Sequence, residues 1–140
     1  MAEATLSERF QRGDVMSPNC PSRSVLKHVT SQWGFLVLIA LETRTLRFSE
    51  LRRMVAGVSE RMLSQSLRNL EQDGLVTRVA FQVVPLHVEY SLTPLGVGAA
   101  QKVRVLADWI ESNLPEIAIG WEECEDQEIA REETAITFAP

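Results

Sequence analysis

Histidine and cysteine are nearly missing from this 140-residue chain, at two residues each, and that scarcity narrows its chemistry first. His28 and His87 cannot furnish an HExxH metal helix, and no Gly-rich phosphate-cradling loop accompanies them. Cys20 and Cys124 stand too far apart in sequence to read as a disulfide framework or a zinc site. A Cys-His hydrolase built from Cys20 and His28 would need a pocket of which the sequence gives no sign. His28, beside Lys27, reads as a surface residue. Neither an enzyme nor a cofactor or metal site is therefore expected. The longest apolar run, residues 35–41, is seven residues, far below the roughly 20 that span a bilayer. The first residues lack the apolar stretch of a signal peptide. A cytoplasmic chain with no membrane partner is the expectation.

What is present is an ordinary globular composition, 45% hydrophobic and 24% charged, enough for one domain with a core. The net charge of −5 argues at first against an anionic partner. Its distribution reverses that. Residues 20–115 carry eleven Lys/Arg against eight Asp/Glu, whereas residues 116–140 carry Arg131 alone against eight acids. Screening limits charge effects to about 8–10 Å at cellular salt, so an acidic tail does not forbid phosphate contact elsewhere. The chain divides into three segments: an N-terminal arm (1–19), a central domain (20–114) and an acidic C-terminal tail (115–140).

Along the central domain, Pro21-Ser22 opens a helix to about Thr30, with Val25, Leu26 and Val29 on one inward face. Residues 33–42 form a strongly apolar, buried helix containing Gly34, an unfavourable residue there. Thr43 to Leu46 reads as a connector or a short strand. Ser49 is expected to cap a helix that turns Leu51, Met54 and Val55 inward, and Gly57 breaks it. Val58 plugs the turn, Ser59 caps the next helix, and Gly74 stops it. Residues 75–81 and 87–92 alternate as strands, with Pro85 at the hairpin end. Thr93-Pro94 starts a helix whose apolar stripe is Leu95, Ala99, Val103, Leu106 and Ile110, widened by Trp109; Pro115 is expected to end it. Beyond it the charge density predicts a mobile tail.

Two helices joined by a short Gly-containing turn and followed by a β-pair have the form of a winged helix-turn-helix, mainly α with a small β-wing. At about 100° per residue, Leu63, Leu67 and Leu70 share one sector of the second helix, and Arg61, Gln65, Arg68 and Gln72 the opposite one, with Ser64 on its flank. Arg matches guanine O6/N7 and Gln matches adenine N6/N7. The candidate DNA contacts are Ser59, Arg61, Ser64, Gln65, Arg68 and Gln72, with Arg52 and Arg53 on the preceding helix and Arg78 and His87 on the wing. A helix end enters the groove first, which favours Arg61, Ser64 and Gln65 for bases and Arg68 and Gln72 for phosphates. The same polar stripe suits any solvated helix face. Equally, Arg52 and Arg53 read as solvated, and His87 as a solvated strand residue.

The residues resemble the HxlR-type winged helix-turn-helix regulators, relatives in fold of the MarR group. The matching pieces run in order from Cys20-Pro21, Trp33 and Leu36-Val37-Leu38 through Arg47-Phe48-Ser49-Glu50-Leu51. They continue with Gly57-Val58-Ser59-Glu60-Arg61-Met62-Leu63-Ser64-Gln65, Leu67-Arg68-Asn69-Leu70-Glu71 and Asp73-Gly74-Leu75-Val76, then Val84-Pro85 and Val88-Glu89-Tyr90-Ser91-Leu92-Thr93. The resemblance implies a bacterial regulator, dimeric through terminal helices, whose partner is a palindromic double-stranded operator with half-sites about 34–36 Å apart. Two departures stand out. Ser31-Gln32-Trp33 replaces a usual Gly-Lys-Trp, and Leu86 and His87 replace a second Pro and an Arg at the wing.

Several members of the family sense electrophiles or oxidants through a cysteine at the Cys-Pro position. Cys20, near Arg23 and Lys27 and next to a helix start, is a candidate redox sensor; a packed, unreactive cysteine is the alternative. Cys124, among acids, is a poor one. Trp33, Phe35 and Trp109 read as packing anchors, or as the lining of a small-molecule effector pocket. A winged helix used only for protein interaction is the competing reading, supported by the apolar wing and the acidic tail.

Overall fold

Apolar spacing and capping chemistry account for most of the elements in the computed structural model, which describes residues 14–137. A single 3-10 turn, Asp14–Met16, is the described part of the expected arm; the arm up to Gly13 lies outside the described residues. Helix α1 (Ser22–Thr30) follows Pro21. Ser31 then leaves the helix in extended conformation and caps α2 (Gln32–Ala40), its Oγ accepting from Gly34 N–H at 3.2 Å. Gly34 has a positive reason to be there. A Cβ at that position would overlap the His28 carbonyl oxygen, so glycine lets the end of α1 lie against α2.

Strand β1 (Leu46–Arg47) runs directly into α3 (Phe48–Met54). The expected cap, Ser49, is displaced by this continuity. Arg47 is both the last strand residue and the helix N-cap, and its N–H donates to Glu50 Oε1 at 3.0 Å. Gly57 adopts φ 91°, which only glycine enters at no cost, and Val58, 6% exposed, plugs the turn beneath it. Ser59 accepts from Met62 N–H at 3.1 Å and opens α4 (Glu60–Gln72). Gly74, at φ 76°, closes it. Strands β2 (Val76–Phe81) and β3 (His87–Leu92) pair antiparallel, and β1 adds to the other side of β3, giving the order β1-β3-β2. Thr93 ties the hairpin to the last helix, α5 (Pro94–Thr137). Its hydroxyl donates to the Gly74 carbonyl at 2.6 Å and accepts from Gly96 N–H, at the start of α5, at 3.0 Å.

The described chain divides into two compact units at Arg104 and Val105. The core belongs to the first. Val37, Leu38 and Leu41 of the α2 segment meet Leu51 and Val55, then Leu63, Leu67 and Leu70 of α4, with Val76 and Tyr90 of the sheet and Ala100 and Val103 of α5. Arg104 Nε donates to Glu42 Oε2 at 2.8 Å and anchors the early part of α5 to the end of α2.

Several expectations are corrected. In α1, Val25 and Leu26 are exposed, and only Val29 packs on the core. Met54 is exposed, because α3 is short and buries Leu51 alone. His28 is not a simple surface residue. Its Nδ1 lies 2.6 Å from Asp73 Oδ2, with side chains 17% and 11% exposed, joining α1 to the C-cap of α4. The helix also continues through Pro115 to Thr137. Proline there removes one backbone donor, at a cost of about 3 kcal/mol. Residues 116–135, dominated by Glu, Ala, Gln and Arg with interspersed Ile, favour the helix on either side of that break.

Gly34→Ala is expected to lower unfolding free energy by about 1–3 kcal/mol, since the crowding must be relieved by backbone shifts. Gly98→Ala, where an added Cβ meets nothing within 4 Å, should be neutral or stabilising by up to about 1 kcal/mol. Urea unfolding of the two variants side by side checks this.

Candidate nucleic-acid interface

Helix α4 is oriented by what it buries. Leu63, Ser66, Leu67 and Leu70 face the core, so the opposite sector, Arg61, Gln65, Arg68 and Gln72, is exposed, with Ser64 half-buried at its edge. Gln65 Nε2 donates to Asn69 Oδ1 at 3.0 Å, holding that side chain along the helix face. Ser59 is occupied as the cap, so its hydroxyl serves the helix start before any other partner.

The sheet completes the face. Register pairs Arg78 with Tyr90 and Phe81 with His87. Side chains alternate along a strand, so Arg78 and Tyr90 share one face and Phe81 and His87 the other. On the first face, Ser64, Arg68, Glu71, Arg78 and Tyr90 line one shallow concavity. Arg61 and Ser64 line a second with Phe48, Glu60, Val88 and Tyr90. The structure thus brings Arg61, Ser64, Arg68 and Arg78 together across the α4–sheet junction. Arg52 Nη1 lies 3.8 Å from Glu60 Oε1 across the turn, and Arg52 and Arg53 border a third depression with Phe48, Ser49 and Glu60.

His87 does not join them. Its ring stacks on Phe81 with centroids 4.7 Å apart and planes at 11°. Nδ1 lies 2.8 Å from the Pro85 carbonyl oxygen and Nε2 3.3 Å from Glu89 Oε1. Both ring nitrogens are engaged within the hairpin, on the face away from Arg78. Tyr90 is the residue that sequence reasoning missed. Its alternation with Val88 and Leu92 marked it as core, and it is 7% exposed, yet it also lines both concavities beside α4. A tyrosine among purely apolar partners was the available signal, because its hydroxyl needs a polar neighbour or water.

Cys20 is half-buried, its Sγ 2.8 Å from Ser22 Oγ. It lines a concavity with Pro18, Arg23, Ser24, Leu26, Lys27 and Thr30. Arg23 turns away to the preceding turn, donating to the Met16 carbonyl at 3.1 Å. Cys124 is exposed in the second unit. Trp33 and Phe35 pack against the core, whereas Trp109, in the second unit, is exposed. Among the described residues no group of His, Cys, Asp and Glu could hold a metal ion. No described helix is long and apolar enough to cross a membrane.

Comparison with known proteins converges on the same architecture. The family model described as HxlR-like helix-turn-helix matches residues 28–118; Cys20 and Pro21 precede it. The HTH-type transcriptional regulator YtfH of Escherichia coli strain K12 is 59% identical over 117 residues, covering 84% of this chain and 93% of that protein. The structure of the transcriptional regulator ytfH from Salmonella typhimurium aligns with a TM-score of 0.72 at 62% identity, over 74% of this chain and 93% of the other. The redox regulator HypR in its reduced form aligns at 0.63 with 34% identity, over 70% and 97% of the two chains. The arrangement of helices, turn and three-stranded sheet is that of a winged helix-turn-helix, and the family is one of regulators, not enzymes. The chain belongs to the HxlR-like helix-turn-helix family of transcriptional regulators.

Proposed function

We propose that this regulator acts as a homodimeric repressor that occludes a palindromic operator, each protomer laying α4 in a major groove. The observation that carries the reading is the convergence of Arg61, Ser64, Arg68 and Arg78 on one exposed face. Arg61, Ser64 and Gln65, in the first half of α4, are assigned to base edges, where Arg and Gln make bidentate pairs. Arg68, Gln72 and Arg78 are assigned to phosphates, and Arg52 and Arg53 to the backbone flanking the turn. Ser59 contributes by fixing the start of α4. His87 acts within the wing and not on phosphate.

Dimer formation is supported by apolar surface that a monomer leaves in water. In the second unit Leu106, Trp109, Ile110 and Leu114 recur at helical spacing and are exposed, Trp109 by 56%. In the first unit Val25, Leu26 and Leu95 are exposed as well. Contiguous apolar exposure of this kind marks a protein interface, and a two-fold pair of protomers reads a palindrome. Cys20 is assigned as the sensor of an oxidant or electrophile. Ser22 Oγ can donate to its thiolate, Lys27 is near, and the neighbouring concavity gives a small reagent access.

On duplexes enriched from a random library, Arg61→Ala is expected to cost about 1–3 kcal/mol of operator affinity. Arg68→Ala should lower the slope of log affinity against log salt by about one. Fluorescence anisotropy measures both, and unchanged values for the pair would refute the assignment of α4. Ile110→Glu is expected to shift the protein toward monomer in sedimentation and to weaken operator binding. Cys20→Ser should bind the operator as the parent does while losing any release caused by diamide; release that persists would move sensing elsewhere.

A further inference from the structure

The wing tip has a composition unsuited to phosphate contact. From Val79 to Leu86 the chain carries no charged residue, and the nearest basic side chain on the hairpin is Arg78. The tip is nevertheless prominent and apolar: Val83 is 67% exposed, Val84 94% and Leu86 76%. Gln82 is exposed beside them. We propose that this tip reads the DNA minor groove flanking each half-site, Gln82 by hydrogen bonds and Val84, Pro85 and Leu86 by apolar contact with the groove walls. The proposal rests on the operator-binding reading above and names further residues that set specificity.

Three observations support this occupant. First, the tip continues the face already assigned to DNA, because the hairpin that ends in it carries Arg78 beside Arg68 and Ser64. Second, its reach fits. Six residues separate Arg78 from Val84, about 20 Å at roughly 3.3 Å per residue. Half of a DNA turn of about 34 Å, the step from a major groove to the next minor groove, is about 17 Å. Third, the residue types suit that groove. Its floor offers adenine N3 and thymine O2 as acceptors, and guanine adds an amino group that projects into it. A glutamine amide donates to the former, while Leu and Pro are side chains that minor-groove proteins press into base steps.

The hairpin stem is built to hold the tip. His87 stacks on Phe81 and engages the Pro85 carbonyl and Glu89, linking both strands immediately below the turn. The histidine in place of the usual arginine is thereby a positioning residue for an apolar reader. Reading of this kind neutralises no phosphate, so its contribution should be nearly independent of salt.

The test places A·T, I·C or G·C pairs at the positions flanking the selected half-sites. Inosine·cytosine presents the A·T pattern in the minor groove but a G·C-like pattern in the major groove. The wild-type protein is expected to bind A·T and I·C flanks alike and G·C flanks about tenfold more weakly. Gln82→Ala and the double variant Val84→Ser/Leu86→Ser should lose this discrimination. Both should keep the half-site preference and the salt slope, which also shows that they fold. If wild-type binding ignores the flanks while Arg61→Ala still abolishes half-site binding, the regulator reading stands and the wing proposal falls. Discrimination between A·T and I·C flanks would place the contact in the major groove and overturn it too. So would intact discrimination in the tip variants together with altered sedimentation, which assigns the tip to protein contact. If Arg61→Ala binds as the parent does, the underlying reading fails and the proposal with it.

Discussion

Burial of one leucine stripe fixes the function of this fold. Leu63, Leu67 and Leu70 lie against the apolar core that Val37 and Leu38 of α2 supply, each worth about 1.5–3 kcal/mol of transfer free energy. Rotating α4 about its axis would expose them, so the helix has one stable azimuth. That azimuth sends Arg61, Gln65, Arg68 and Gln72 outward. The turn makes the packing attainable: Gly57 takes the positive φ and Val58 fills the space beneath it. The cap at Ser59 and the left-handed stop at Gly74 set where the reading surface begins and ends.

Charge is partitioned along the chain in the same spirit. The acidic excess belongs to residues 116–140, and the basic side chains assigned to DNA belong to α3, α4 and β2. An overall net charge of −5 is therefore a poor guide to what α4 meets, because screening confines each charge to its surroundings. Arg68 and Arg78 act from different elements, and the antiparallel register that puts Arg78 opposite Tyr90 brings them to one concavity. Position in the sheet, not proximity in sequence, assembles the site.

Much of this is legible in the residues. Period-two alternation marks His87–Leu92 as a strand, and Ser59, Gly74, Thr93 and Pro94 mark element ends through local chemistry that needs no tertiary partner. Interactions across the chain are harder to see. His28 and Asp73 are 45 residues apart in sequence, and nothing local announces their contact. Gly34 reads as a weak point because its reason, the His28 carbonyl lying against it, is tertiary. Val25 and Leu26 carry a helical apolar period, yet a period does not say whether the buried side meets this chain's core or another surface. Pro115 misleads for a different reason: a single breaker is outweighed by the long run of helix-forming residues around it. His87 occupies a position that is basic by analogy, but Phe81, Pro85 and Glu89 hold its ring inside the hairpin.

The most direct test of the recognition face is a parallel selection from random duplex DNA with the wild-type protein and with Gln65→Ala. If α4 reads bases as assigned, the wild type enriches an inverted repeat with half-sites about one helical turn apart. The variant then enriches the same repeat, relaxed at one position in each half. The same fully specified sequence from both proteins, or none from the wild type, would contradict it.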